Sequence, residues 1–233
     1  MFNRALVIGA GGTGGFLIPP LARLLRYHAN GTANITVCDG DAFDSGNATR
    51  QLCGEAQLGM NKAEWIASLC QQQGLEIDAL TAYLDKPAMR RFLRPSGAPL
   101  IIAAVDNDAT RKLILDTLDE HSGDFFFCTP GNAGADDPAA AIKGNVLWWG
   151  RLQGEECGIN PALVFPNIER PTDDAPREGS CTENAPSSPQ LITANAMAAT
   201  LTLAVIQNLL DGLLTTTSSC CFFNGRSLSL SHS

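Results

Sequence analysis

Polar side chains that could bind a phosphorylated ligand are concentrated after the second apolar run. Asp39 ends that run, at the position where nucleotide-binding folds carry the carboxylate that binds the ribose hydroxyls. Asn47, Arg50 and Gln51 follow within the next dozen residues. The ribose of a redox cofactor does not need a cation and two amides at this spacing, whereas a triphosphate offers them negative charge and acceptor oxygens. The spacing therefore predicts a triphosphate bound beside a ribose.

A glycine-rich stretch, G-A-G-G-T-G-G, lies between the first apolar run and the first helical pattern. Glycine lets the backbone turn sharply and bring N–H groups close to phosphate oxygens, and the start of a helix adds partial positive charge. The stretch predicts a nucleotide site, with a purely structural turn as the alternative. Asp39 is then the ribose candidate, with a turn or capping aspartate as the alternative. The candidate glycines are Gly9, Gly11, Gly12 and Gly14.

These residues need elements that hold them at one edge of a sheet. Short apolar runs alternate with helical patterns, which predicts an α/β fold with a mostly parallel, Rossmann-like sheet and flanking crossover helices. Strands are predicted near residues 4–9, 34–39, 75–81, 99–105 and 124–128. Helices are predicted near residues 13–28, 60–73, 86–94 and 108–121.

The pattern changes after residue 141. A strand is predicted at 142–149, and the following forty residues carry six prolines, which argues against a helix there. An irregular stretch of this length is either disordered or functional. The segment 191–213 is rich in Ala and Leu, so we expect a helix buried on most sides. Residues 218–230 are predicted to form a hairpin, an antiparallel extension of the sheet.

Composition narrows the function classes. The 233 residues are 45% apolar, which suits one domain with a sizeable core, and the net charge of −8 argues against a nucleic-acid partner. The apolar run at the N-terminus is too short for a signal peptide and too rich in glycine for a membrane span, so we expect a cytoplasmic protein. The eight cysteines include no C-x-x-C pair, so no structural zinc and no disulfide framework are expected.

Five motifs in this order resemble those of the ubiquitin-activating enzymes and their bacterial relatives, the ThiF and MoeB adenylyltransferases. They are G-A-G-G-T-G, D-G-D at 39–41, N-A-T-R-Q at 47–51, N-K-A at 61–63 and V-D-N-D-A-T-R at 105–111. The resemblance is close over residues 4–135 and looser beyond. It implies an ATP-dependent, Mg²⁺-dependent enzyme that adenylates the C-terminal glycine of a ubiquitin-like protein.

The resemblance also implies roles for individual residues. Arg50 and Lys62 would be the cations on the phosphates, and Asn47 and Gln51 would donate amide N–H groups to them. Asp106, beside Asn107, would be the Mg²⁺ carboxylate, acting through ATP. Asp39 would bind the ribose, with Asp41 and Arg111 in supporting roles.

A second step on a cysteine is the further expectation. We expect a single adenylation domain over residues 1–233, with a nucleotide-binding core at 1–135, a crossover loop at 151–190 and a C-terminal helix and hairpin at 191–233. Cys181, in the crossover loop, would accept the activated carboxyl group as a thioester. Cys157 is the rival, although adjacent carboxylates would raise its thiol pKa. The alternative is an adenylyltransferase of a sulfur-carrier pathway, without an enzyme thioester.

The expected partners are a ubiquitin-like protein with a C-terminal glycine, a conjugating enzyme and a second copy of this chain in a homodimer, with no nucleic acid and no membrane. Several relatives lend an arginine to the neighbouring protomer; here Arg4 or a partner chain would serve, or the arginine is dispensable.

The chain resembles the small enzymes of bacterial ubiquitin-like conjugation operons, some of them linked to antiviral defence. Two other classes stay open: an NAD-dependent oxidoreductase, which would leave Arg50, Gln51 and Lys62 without a role, and a catalytically silent partner subunit.

Overall fold

Nine strands form one mixed sheet within the residues that the computed structural model describes, which are 2–28, 30–31, 34–132, 143–176, 191–214, 220–224 and 229–232. In chain order the strands are β1 (Arg4–Ile8), β2 (Ile35–Cys38), β3 (Asp78–Leu80), β4 (Pro99–Ala103), β5 (Phe125–Asn132), β6 (Lys143–Leu152), β7 (Glu155–Gly158), β8 (Cys220–Asn224) and β9 (Ser229–His232). The helices are α1 (Gly12–Tyr27), α2 (Lys62–Gln71), α3 (Lys86–Leu93), α4 (Asp108–Asp119), α5 (Pro161–Val164) and α6 (Ile192–Leu210). Short 3-10 helices lie at Ser45–Asn47, Glu55–Gln57 and Pro166–Ile168.

The predicted fold class is confirmed. The sheet order is β3-β2-β1-β4-β5-β6-β8-β9, with β7 paired to β6. The strands from β3 to β5 pair in parallel, and β6 to β9 pair antiparallel. Because the carboxyl ends of parallel strands meet at one edge of a sheet, the segments that follow β1, β2 and β4 lie side by side.

Two hydrophobic layers cover the two faces of the sheet. Alternate residues of β1 point to opposite layers: Ala5 and Val7 pack with α1, α2 and α6, whereas Leu6 and Ile8 pack with α3 and α4. All five residues of β1 are buried, as are those of β4 beside it. Such continuous burial is typical of parallel strands covered on both faces.

The prolines after residue 160 do not exclude helices, which corrects the expectation from the sequence. Pro161 begins α5 and Pro166 begins a 3-10 helix. Proline is compatible with the first position of a helix because the N–H group at that position has no partner within the helix.

Helix α6 is buried on one face only, so the prediction of burial on most sides is wrong. Its buried residues are Ala194, Asn195, Ala198, Ala199, Thr202, Val205, Ile206 and Leu210, whereas Ile192 is 45% exposed. Among the described helices, α6 alone is long and apolar enough to cross a membrane by length and composition. In this structure its buried face packs against α1, β5 and β6.

Candidate functional site

The glycine loop between β1 and α1 is held tightly against the neighbouring strands. Gly9 has a φ of +92°, and a Cβ there would lie 2.5 Å from the carbonyl oxygen of Ala104. A Cβ on Gly14 would overlap the carbonyl oxygen of Gly9. Both positions therefore require glycine, the first for its backbone conformation and both for close approach.

The start of α1 is open to an anion. Gly11 provides no side-chain cap, and the first turn contains no acidic residue. The N–H groups of Gly12 and Thr13 donate to no acceptor among the described residues. Free N–H groups and the helix dipole together favour a negatively charged group at this point.

Asp39 connects the end of β2 to the glycine loop. Its Oδ2 accepts a hydrogen bond from the Ala10 N–H at 2.7 Å, and its Oδ1 accepts one from the Asp41 N–H at 2.9 Å. Burial raises the pKa of Asp39, against the opposing effects of the Lys62 cation and of these two N–H groups. The turn role that the sequence left as an alternative is thus present, and it leaves a lone pair on each oxygen for a further donor.

Lys62 is the first residue of α2 and only 7% exposed. Its Nζ lies 3.0 Å from Asp41 Oδ2, and the Tyr83 hydroxyl donates to the other oxygen of the same carboxylate. The Tyr83 ring also packs against Gly40, where a Cβ would lie 2.7 Å from it. The Lys62 ammonium group is therefore held in place by a carboxylate. Tyr83 is a residue that sequence reasoning missed.

Gln51 lies against the glycine loop. Its side chain is buried, and a Cβ on Gly11 would lie 3.6 Å from its Nε2. Gln51 Oε1 is one of two buried side-chain polar atoms without a partner in the described part of the chain, the other being Trp148 Nε1. A buried acceptor without a donor costs about 1–3 kcal/mol, a cost that a donor on a bound molecule would relieve.

Arg50 and Asn47 differ in what their side chains contact. The Arg50 guanidinium makes no hydrogen bond or ion pair within the residues that the structure describes. Burial raises the pKa of the Cys53 thiol, and Asp44 adds to this effect, whereas the Lys62 and Arg50 cations oppose it. The Asn47 amide, in contrast, donates to Asp44 Oδ1 at 2.9 Å within the cap of a 3-10 helix.

Asp106 and Asn107 follow β4, the strand beside β1 in the sheet. Asp106 is exposed, and Asn107 caps α4 by accepting the Thr110 N–H at 2.8 Å. Arg111 forms an ion pair of 2.8 Å with Asp108 and donates to the carbonyl of Val105, which suits a supporting role. No group of three or more metal-ligating side chains occurs among the described residues. A single exposed carboxylate fits Mg²⁺ that arrives with nucleotide phosphates, since Mg²⁺ usually takes one or two carboxylates in such sites.

Asp173 occupies the start of α4 and was not predicted from the sequence. Its two carboxylate oxygens accept the N–H groups of Asp108 and Ala109 at 2.8 and 2.9 Å. With the Asn107 cap, the N-terminus of α4 is thus filled by the chain itself, whereas that of α1 is open. Asp173 also ties the segment after α5 to the turn that carries Asp106.

Of the two cysteine candidates and Arg4, the structure describes Cys157 and Arg4. Cys157 lies in β7 and is 9% exposed, and burial, with a smaller effect of Glu156, raises its thiol pKa. Cys181 lies outside the described residues. Arg4 lies at the amino end of β1, opposite the glycine loop, and its guanidinium donates to backbone carbonyls around α3. The Arg4 guanidinium is thus engaged by its own chain, and a role for it in the site of a neighbouring protomer stays a prediction.

A buried asparagine of α6, also missed from the sequence, adjoins the glycine loop. Asn195 is 0% exposed, and a Cβ on Gly12 would overlap its amide. Its Oδ1 accepts hydrogen bonds from Thr13 Oγ1 at 3.2 Å and Asn132 Nδ2 at 2.6 Å, and its Nδ2 donates to the Arg50 carbonyl at 3.2 Å. The Asn195 side chain thus joins α6 to three segments that are far from it in the sequence.

Taken together, the start of α1 can hold an anion. The segment after β2 carries two cations, namely Lys62, which Asp41 fixes, and Arg50, whose guanidinium has no partner among the described residues. The carboxylates of Asp39 and Asp41 lie on one side, where they can accept hydroxyl donors. Lys62 is paired with Asp41, whereas Asp39 keeps lone pairs that can accept a ribose hydroxyl, so this region offers both cations and an acceptor carboxylate, as a nucleotide requires.

Comparisons with known proteins concern the family and the fold. The model of the ThiF family matches residues 2–147. E. coli MccB, solved with AMPCPP and selenomethionyl MccA, has a TM-score of 0.67 and 14% identity over 99% of this chain and 63% of that chain. PaaA has a TM-score of 0.64 and 13% identity over 99% of this chain and 63% of that chain. E. coli tRNA N6-threonylcarbamoyladenosine dehydratase, TcdA, has a TM-score of 0.61 and 16% identity over 90% of this chain and 86% of that chain.

No curated protein sequence matches the chain. At the identities given above, the likeness to the solved structures concerns the fold. The chain spans less than two thirds of the length of MccB and PaaA.

Proposed function

The chain belongs to the ThiF family, and we propose that it is an ATP-dependent adenylyltransferase that activates the C-terminal glycine of a ubiquitin-like protein. The observation that carries the proposal is the open anion site at the start of α1. The first turn of α1 offers unpaired N–H groups and contains no acidic residue. We assign the Lys62 ammonium group, which is paired with Asp41, and the Arg50 guanidinium to the phosphates bound there. An NAD-dependent oxidoreductase would leave both cations without a task.

The proposed chemistry needs charge neutralisation more than proton transfer. A C-terminal carboxylate is ionised at pH 7, so no general base is required. One of its oxygens attacks the α-phosphorus of ATP, and the bond to the departing pyrophosphate breaks. Because both reactants are anionic, the site must offset their repulsion and hold them in line. Lys62 and Arg50 are the residues assigned to that task.

The remaining residues receive roles that their positions support. Asp39, through its free lone pairs, would accept the ribose hydroxyls. Gln51 would contact the phosphates next to the glycine loop. Asn47 would have to release Asp44 before its amide could donate to a phosphate oxygen. Asp106 would hold Mg²⁺ bound to ATP, and that ion would supply further neutralisation of the phosphate charge.

A thioester on Cys181 is the proposed second step: the thiolate attacks the carbonyl carbon of the acyl-adenylate, and the bond to AMP breaks, so that AMP leaves. Cys181 lies eight positions after Asp173 in the sequence, so the two Cα atoms can be at most about 26–29 Å apart. Asp173 is fixed at the start of α4, next to Asp106. On the other side, α6 begins at Ile192 and fixes Asn195 behind the glycine loop. The two ends of the segment that carries Cys181 are thus anchored on either side of the site, which supports its access to the activated carboxyl group.

ATP–pyrophosphate exchange tests the proposed function. We expect exchange of pyrophosphate into ATP when the chain is given ATP, Mg²⁺ and a small ubiquitin-like protein that ends in glycine. The carboxylate is required because the exchange runs through the acyl-adenylate that it forms. The matched control is the same ubiquitin-like protein with its C-terminus converted to an amide, which should support no exchange. Binding of a nicotinamide dinucleotide without exchange in any mixture would contradict the proposal.

We also propose a two-fold dimer. The outer face of α6 is apolar and incompletely covered, with Ile192 45% exposed and Leu201 half-buried, and an isologous contact would cover it in both copies. We expect sedimentation at micromolar concentration to give twice the mass of the chain. Ala204→Glu, at an exposed position of α6, should shift the population towards the monomer. A monomeric wild-type chain with full exchange activity would contradict the dimer.

A further inference from the structure

We propose that Asn195 is a positioning residue of the nucleotide site, fixing the glycine loop and the backbone at Arg50 relative to each other. This inference rests on the proposed function, since it concerns the same site. Helix α6 is rich in Ala, Leu and other apolar residues, yet the amide of Asn195 within it is completely buried. A buried amide is costly unless its hydrogen bonds are made.

The three partners of Asn195 all belong to segments that border the site. Thr13 lies in the first turn of α1, Asn132 ends β5, and the Arg50 carbonyl belongs to the segment that carries the free guanidinium. The partners lie 182, 63 and 145 residues from Asn195 in the sequence. The amide therefore links elements that the chain alone would not hold in register.

Another buried polar residue of α6 shows what a merely local role looks like. Thr202 is also 0% exposed, and its hydroxyl donates to the Ala198 carbonyl at 2.8 Å within the same helix. Thr202 satisfies its own hydrogen-bonding need without reaching another element. Asn195, two turns earlier in the helix, makes its side-chain bonds outside α6 altogether.

Gly12 and Asn195 fit each other sterically. The three nearest atoms to a Cβ on Gly12 all belong to the Asn195 side chain, and the closest of them, Nδ2, would overlap it. The start of α1 can therefore approach α6 only because residue 12 is glycine. The amide fills the space that any side chain at residue 12 would need, and in doing so it sets where the free N–H groups of α1 point.

The first test compares Asn195→Ala with Thr202→Val, a matched change of a buried polar residue in the same helix. We expect kcat/KM for ATP in the exchange reaction to fall about 10²-fold in Asn195→Ala, the size typical of a small misplacement of reacting groups. KM for the ubiquitin-like protein should not change. Thr202→Val should stay within about three-fold of wild type, and both variants should show similar losses in melting temperature.

Two further variants keep the test decisive if Asn195→Ala does not fold. Thr13→Val removes one donor to Asn195 without changing volume, and we expect kcat/KM for ATP to fall about ten-fold with little change in melting temperature. Gly12→Ala should destabilise the chain, and the double variant Gly12→Ala/Asn195→Ala should recover the melting temperature but not kcat/KM for ATP. Such recovery of fold without recovery of activity is the signature of positioning.

The results that overturn the inference differ from those that overturn the proposed function. If Asn195→Ala folds with kcat/KM for ATP within three-fold of Thr202→Val, or if Thr13→Val equals wild type, Asn195 is only a satisfied core residue. If the wild-type chain shows neither exchange nor an ATP-induced rise in melting temperature, the proposed function fails, and this inference fails with it.

Discussion

Replacing Lys62 with alanine is expected to reduce ATP–pyrophosphate exchange by about 10²- to 10³-fold, the loss found when one preorganised charge-stabilising donor is removed from a reaction site. The structure gives a reason for preorganisation, because Lys62 is almost fully buried and its Nζ lies 3.0 Å from Asp41. The loss should be increased by Asp41, because its carboxylate would then keep only the Tyr83 hydroxyl and would face the phosphates without a neutralising cation. Initial exchange rates at saturating ATP measure the effect.

The control is Lys112→Ala, which also breaks a lysine–aspartate pair. Lys112 Nζ lies 2.9 Å from Asp116 on the surface of α4, and such exposed pairs contribute at most about 1 kcal/mol. We expect the control to keep exchange within three-fold of wild type, and melting curves should show that both variants remain folded. An exchange rate within three-fold of wild type in Lys62→Ala would show that Lys62 does not stabilise the reacting phosphates.

Replacing Cys181 with alanine is expected to separate the two proposed steps completely. Pyrophosphate exchange should continue, because the proposed adenylation takes place at the glycine loop and does not need the thiol. The conjugate between the chain and the ubiquitin-like protein, which dithiothreitol cleaves, should be lost because no thiolate attacks the activated carbonyl. Non-reducing gel electrophoresis with and without dithiothreitol measures the conjugate, and exchange is measured on the same samples. Arg50→Ala should lose both activities.

Cys157→Ala is the matched control for Cys181→Ala. Cys157 is buried in β7 and its thiol pKa is raised, so it carries little thiolate and we expect its loss to leave the conjugate intact. A conjugate that survives in Cys181→Ala would assign the nucleophile to another cysteine. A wild-type chain that exchanges pyrophosphate but forms no conjugate would instead support the sulfur-carrier alternative without an enzyme thioester.

The parallel half of the fold could be predicted because its signals are local. Apolar runs such as Arg4–Ile8 and Pro99–Ala103 alternate with helical patterns, and each strand and helix follows from its own segment. The one-sided burial of α6 could not be predicted in this way. Its composition is apolar on both faces, and which face packs against α1 depends on the arrangement of the whole sheet.

The same distinction applies to the candidate site. The glycine loop, Asp39 and the 47–51 segment stand out because short motifs place them next to strand ends, although their roles stay predictions. Tyr83 and Asn195 carry no motif, and their partners are 42 and up to 182 residues distant. The side chain of Asn47 shows the limit of a motif, since a local bond to Asp44 engages the amide that the motif assigns to a phosphate.

The packing of α6 on α1 has a consequence for the order of events during synthesis. Helix α6 begins at Ile192, 165 positions after the end of α1 at Tyr27. At about 5–20 residues per second, the ribosome needs roughly 8–33 seconds to cross this interval. Throughout that time the nascent chain carries an α1 whose α6-facing surface is uncovered and a glycine loop without Asn195. The surroundings of the glycine loop are therefore among the last parts of the molecule to be completed, and a ribosome that stops before residue 191 leaves a chain that lacks Asn195 and the cover that α6 gives to α1.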